Sequence, residues 1–145
     1  MTYADTSFLI SLFTKDANSA AAAVCVDLAA VPFPLTPFGR LELTNAVQLR
    51  HFRREITAAE AGEVLAAIAS DLASGALAPI ATPASMFERA QALAGKHTAR
   101  LGVRSLDILH VAVALELQAE SFLTFDRRQA RLARAEGLST PVRIR

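Results

Sequence analysis

Cysteine is almost missing from this chain of 145 residues: Cys25 stands alone, so no disulfide framework holds the fold. Long apolar runs are missing too. The Ala-rich stretch at 17–26 falls well short of the roughly 20 uncharged residues a membrane span needs. The first ten residues carry Asp5 and neither Lys nor Arg, so no secretory signal is expected, and the cytoplasm is the expected compartment. Only 20% of residues are charged while 52% are hydrophobic, which excludes a disordered chain. Lysine is scarce as well: Lys15 and Lys96 are the only two among 15 basic residues, and the other 13 are Arg. Arg carries a planar fork that matches phosphate oxygens, which Lys lacks.

What is present fits one α/β domain spanning 1–145. The net charge of +1 hides an asymmetry: residues 1–95 hold six basic and nine acidic side chains, residues 96–145 nine and five. A basic, Arg-biased C-terminal third suits a polyanionic partner, and equally a solvated helix face. Short apolar runs alternate with long helical patterns, which predicts parallel strands covered by helices. Strands are expected at Thr2–Ala4, Pro32–Thr36, Leu77–Ile80, Ser121–Phe125 and Val142–Ile144. Helices are expected to open at Thr6 or Ser7 and to run over Asn18–Ala30, Pro37–Glu55, 57–73, 82–101, Leu106–Gln118 and Arg127–Glu136. Thr57 and Glu60 have capping-box spacing, and Ser105 reads as the cap of the most apolar helix.

Four acids stand in apolar company. Asp5 follows the first strand, Glu42 lies between Leu41 and Leu43, Asp107 sits within Leu106-Asp107-Ile108-Leu109, and Asp126 ends Phe122-Leu123-Thr124-Phe125. A carboxylate in such surroundings is costly without donors or cations. Ligand sites in parallel sheets lie beyond the carboxyl ends of the strands, where Asp5 and Asp126 are placed. Each acid also has a plain structural role: Asp5 and Asp126 as N-caps, Asp107 against a helix dipole, Glu42 on the surface. Four converging carboxylates would repel one another, and one or two Mg²⁺ or Mn²⁺ ions would resolve that. His110, three residues after Asp107, reads as packed, whereas His51 and His97 read as exposed. Other phosphate chemistries lack their parts: Ser7 stands where a haloacid-dehalogenase-like enzyme needs a second Asp, and no Lys follows Lys96 to serve a receiver domain. Neither a P-loop nor a Gly-x-Ser-x-Gly elbow occurs.

Tyr3-Ala4-Asp5-Thr6-Ser7-Phe8-Leu9-Ile10, Arg40-Leu41-Glu42-Leu43-Thr44-Asn45-Ala46, Ser105-Leu106-Asp107-Ile108-Leu109-His110-Val111-Ala112 and Phe122-Leu123-Thr124-Phe125-Asp126 together resemble the four motifs of the PIN domain family, and within it the VapC-type toxins of toxin–antitoxin pairs. The resemblance implies a three-layer α/β/α sandwich around a mainly parallel sheet of four or five strands. It also implies a metal-dependent ribonuclease held inactive by a cognate antitoxin. Asp5, Glu42, Asp107 and Asp126 match the acidic quartet, with Mg²⁺ or Mn²⁺ as cofactor. In that reading the three aspartates coordinate metal, and Glu42 holds a metal-bound water or orients the attacking one. RNA is the substrate, a homodimer is expected, and no membrane is involved. Thr6 and Ser7 are candidates to touch a phosphate or position Asp5; Arg104, Arg127, Arg128 and Arg131 are candidates for RNA phosphates. One departure bears on a second metal ion: many relatives carry another acid two positions past the fourth-motif Asp, where this chain has Arg128. The alternative is a non-catalytic PIN-like module that binds RNA or protein through its basic C-terminal helix.

Overall fold

The computed structural model describes residues 1–28 and 32–142. The Ala30 end of the second expected helix and most of the strand expected at Val142–Ile144 lie outside them. Among the described residues the elements are β1 (Thr2–Ala4), α1 (Thr6–Phe13), α2 (Ser19–Leu28), β2 (Phe33–Leu35), α3 (Pro37–Phe52), α4 (Ala58–Ser74), β3 (Leu77–Pro79), α5 (Met86–Leu101), α6 (Ser105–Glu116), β4 (Ser121–Leu123) and α7 (Arg127–Ala135). The α/β class with parallel strands is therefore the one the chain adopts. It divides into two compact units, one of Met1–Asp5 with Thr82–Arg145, the other of Thr6–Ala81.

In the first unit β1 pairs with β4 in parallel, Thr2 opposite Ser121, Tyr3 opposite Phe122 and Ala4 opposite Leu123. Parallel strands covered on both faces carry continuous apolar side chains, and every residue of β1 is buried. The Tyr3 ring stacks on Phe122 with centroids 5.5 Å apart. Met86 and Leu93 of α5, Val111 of α6 and Leu132 of α7 close the same core. Burying a side chain of this size contributes about 1.5–3 kcal/mol. The helix α6 is apolar around most of its circumference, with Ile108, Val111, Ala112, Val113 and Ala114 all buried, as a central helix must be.

In the second unit β2 pairs with β3 in parallel, Phe33 opposite Leu77 and Leu35 opposite Pro79. Pro34 and Pro79 donate nothing to a ladder, which keeps both strands short. Thr36 then caps α3, its hydroxyl accepting the Gly39 N–H at 3.0 Å, and Pro37 occupies the first helical position where a missing N–H is harmless. Leu43 and Val47, four apart on α3, are buried. Thr57 and Glu60 form the expected capping box at the start of α4, and Gly75 ends that helix at φ 84°, a left-handed conformation that suits a residue without a Cβ.

Two helix starts differ from the sequence reading. Thr82-Pro83 does not open α5, which begins at Met86; the preceding Ser85 gives its hydroxyl to Glu116 rather than to the helix. Ser105 is not the cap of α6 but its first residue. Arg104 occupies the cap position, and its N–H is taken by the Asp107 carboxylate.

Candidate active site

Parallel pairing of β1 with β4 brings Asp5 and Asp126 to the carboxyl end of one ladder. The Asp5 N–H donates to the Leu123 carbonyl at 3.0 Å, so the pairing extends one residue past Ala4. Asp5 is fully buried, and a carboxylate withdrawn from water needs donors. One comes from Thr124, 1% exposed, whose hydroxyl donates to Asp5 Oδ2 at 2.7 Å. The same hydroxyl accepts the Asp126 N–H at 2.9 Å. A single threonine thus ties the first-motif aspartate to the backbone of the fourth.

Asp126 caps α7. Its Oδ1 accepts the N–H groups of Arg128 at 2.7 Å and Gln129 at 3.0 Å. Asp107, in the first turn of α6, accepts the Arg104 N–H on Oδ2 at 3.0 Å. Its Oδ1 faces the Gln129 side-chain amide at 3.4 Å. The three aspartates are joined in one run of hydrogen bonds: Asp5 to Thr124, Thr124 to Asp126, Asp126 to Gln129, Gln129 to Asp107. Asp107 and Asp126 also stand at helix N-termini, where the first-turn N–H groups lack intrahelical partners and need acceptors. Asp126 takes the N-cap role that the sequence allows, and Asp107, expected to face a helix dipole, also accepts the N–H of the cap residue Arg104; each bond set uses one carboxylate oxygen.

Glu42 belongs to the other unit. It is half-buried on α3, and Thr6, the residue that follows Asp5 in the chain, donates its hydroxyl to Glu42 Oε2 at 3.1 Å. Beside Asp107 on α6, His110 is 2% exposed with Nδ1 at 2.8 Å from the Tyr3 hydroxyl, so it is packed as expected. His51 is exposed. His97 is not: it is 3% exposed, with Nε2 2.5 Å from Glu136 Oε1, and the sequence reading is corrected there. Glu136 also receives Lys96 at 2.8 Å. Burial alone would raise its pKa, but hydrogen bonds from Lys96 and His97 outweigh it and hold the carboxyl below the ordinary glutamate value. Arg104, Arg127 and Arg131 lie exposed near the ends and along the outer side of α6 and α7.

Among the described residues, no group of three or more His, Cys, Asp or Glu side chains forms a cluster that could hold a metal ion. The donor chemistry nonetheless fits a hard divalent cation, because the aspartates offer only oxygen. A buried acceptor beside Asp107, Gln129 Oε1, has no hydrogen-bond partner. Two of the groups that order this region, Thr124 and Gln129, escaped the sequence reading. Thr124 has the look of a strand residue, although a threonine two positions before a capping aspartate is a recognisable turn signal.

Compared with known proteins, residues 2–135 match the family model described as PIN domain. The chain belongs to the PIN domain family. All four motif acids fall within the matched segment. Three solved structures share this PIN fold across almost their full lengths. The Mycobacterium tuberculosis VapC20 toxin, described as sarcin-ricin loop cleaving, is 19% identical with a TM-score of 0.70, covering 96% of this chain and 97% of that one. A toxin–antitoxin complex from Klebsiella pneumoniae is 17% identical with a TM-score of 0.66, covering 99% and 100%. FitAcB from Neisseria gonorrhoeae is 16% identical with a TM-score of 0.61, covering 97% and 96%. At such identities the likeness is one of fold. No curated protein matches the chain. PIN-family proteins are nucleases that generally use divalent metal ions. No helix among the described residues is long and apolar enough to cross a membrane.

Proposed function

We propose that this PIN-family chain is a metal-dependent endoribonuclease of the VapC type, acting as the toxin of a toxin–antitoxin pair. The observation that carries the reading is the hydrogen-bonded run from Asp5 through Thr124, Asp126 and Gln129 to Asp107. Three aspartates from distant parts of the sequence share it, and they offer the all-oxygen donor set that a hard divalent cation takes. Asp5, Asp107 and Asp126 are the residues that would hold Mg²⁺ or Mn²⁺, and Glu42, anchored by Thr6, is the fourth acid of the quartet. A divalent ion bound by them would supply an acidified water and Lewis-acid stabilisation of the phosphoryl oxygens.

The chain's own groups prepare that chemistry. Thr124 orients the Asp5 carboxylate from a fully buried position, and the Arg104 N–H fixes one oxygen of Asp107. These bonds fix the orientation of one oxygen on each of the two carboxylates. Exposed Arg104, Arg127 and Arg131, with half-buried Arg128, offer cationic contacts to RNA phosphates. The partners of this reading are an RNA substrate, a cognate antitoxin and a second copy of the chain, acting in the cytoplasm as one domain over residues 1–145.

Incubating the purified chain with RNA tests the reading. Cleavage is expected with Mg²⁺ or Mn²⁺, to stop with EDTA, and to be abolished by Asp5→Asn. Cleavage that continues unchanged in EDTA overturns the metal mechanism. RNA binding without cleavage, indifferent to Asp5→Asn, points instead to the non-catalytic binding module.

A further inference from the structure

Gln129 stands out among the buried polar side chains. It is 7% exposed, and its Oε1 is buried without a hydrogen-bond partner. Leaving a buried acceptor unsatisfied costs roughly 1–3 kcal/mol, so native structures rarely keep one without a reason. Rotating the amide by half a turn gives no escape. It would set the acceptor against Asp107 Oδ1, which now faces the amide nitrogen at 3.4 Å, and two acceptors would then oppose each other. The orientation is therefore dictated by the Asp107 carboxylate, and the orphaned oxygen follows from it.

The backbone of Gln129 is fixed independently, since its N–H donates to Asp126 Oδ1 at 3.0 Å. One residue thus contacts two of the three aspartates, one through its main chain and the other through its side chain. A hydrophobic residue at this place in α7 would fill the same space without an unsatisfied acceptor, as Ala130, Leu132 and Ala133 do on the buried face.

We infer that Gln129 is a positioning residue of the divalent-ion site, its amide N–H holding Asp107 and its Oε1 kept for a donor that arrives with the hydration shell of the ion. The inference rests on the proposed metal-dependent reading. Carboxylate ligands are commonly held by outer hydrogen-bonding partners, and loss of such a partner weakens metal binding by about 10- to 100-fold.

The test is a calorimetric Mn²⁺ titration of the full chain and its variants, with thermal melts in EDTA and in excess Mn²⁺. Gln129→Leu is expected to weaken Mn²⁺ binding about tenfold while its Tm in EDTA stays at or above that of the unsubstituted chain, because the orphaned acceptor is gone. Gln129→Glu, which keeps an acceptor but adds a negative charge beside Asp107, is expected to melt earlier in EDTA and to recover in Mn²⁺. A merely structural glutamine would give the reverse, a lower Tm for Gln129→Leu with unchanged Mn²⁺ affinity, and that result overturns the inference. If Gln129→Leu binds normally while Asp107→Asn does not bind, the inference fails and the metal reading stands. If the unsubstituted chain itself does not bind Mn²⁺, both fail together.

Discussion

The Thr124 hydroxyl is shared between two partners, donating to Asp5 Oδ2 and accepting from the Asp126 N–H. Thr124→Val keeps the shape and removes both bonds, leaving a buried carboxylate short of a donor and an N–H short of an acceptor. A loss of about 2 kcal/mol is expected by urea unfolding, together with reduced RNA cleavage. Asp126 separates its two roles differently. Asparagine caps helices as well as aspartate, so Asp126→Asn is expected to keep α7 stable within about 0.5 kcal/mol while cleavage is lost. A stability loss as large as that of Asp126→Ala would assign the residue to capping alone. The acids were legible in the sequence because a carboxylate amid Leu, Ile and Phe is conspicuous. Thr124 and Gln129 were not, since a threonine in a β-rich run and a glutamine in an Arg-rich helix both have ordinary explanations. His97 misled for a related reason: flanked by Lys96 and Thr98 it reads as surface, and its partner Glu136 lies 39 residues away.

Helix and strand identity followed from apolar patterning, and the errors gathered at helix ends. Ser85 and Ser105 look like caps, yet Ser85 is drawn to Glu116 from a distant element, and the Arg104 N–H is satisfied by Asp107. Competition from such partners is invisible in a local window of sequence. The same kind of long-range tie links α5 to the residue that follows α7, through Lys96 and His97 to Glu136. In the other unit, burial alone would raise the pKa of Asp16, but the Asn18 N–H, Arg50 and Ser11 outweigh it and hold the carboxyl low. Both acids have folded pKa values below their ordinary values of 3.8 for Asp16 and 4.5 for Glu136, so their contribution is fully present above those values and fades as pH falls through the lowered ones. Thermal melts are therefore expected to hold level from neutral pH towards the ordinary glutamate value and to decline below it. Glu136→Gln should make that acid decline shallower; an unchanged slope would remove the Lys96–His97–Glu136 cluster from the explanation.

At the scale of the molecule, the α/β class and the parallel strands were readable, because short apolar segments alternate with long helical patterns. The PIN family match and the shared fold with the VapC20 toxin agree with that class. Less readable was how the acids are tied together, since Thr124 and Gln129 act across sequence separations of 119 and 22 residues. The central claim is that Asp5, Asp107 and Asp126 together hold a divalent ion for phosphodiester hydrolysis. Anomalous diffraction from crystals of the chain soaked in Mn²⁺ tests it most directly. A manganese peak bonded to carboxylate oxygens of Asp5 and Asp107, absent from Asp107→Asn crystals, is the result expected. Crystals of the unsubstituted chain at saturating Mn²⁺ with no peak at these aspartates, their oxygens still occupied by Thr124 and Gln129, would contradict it.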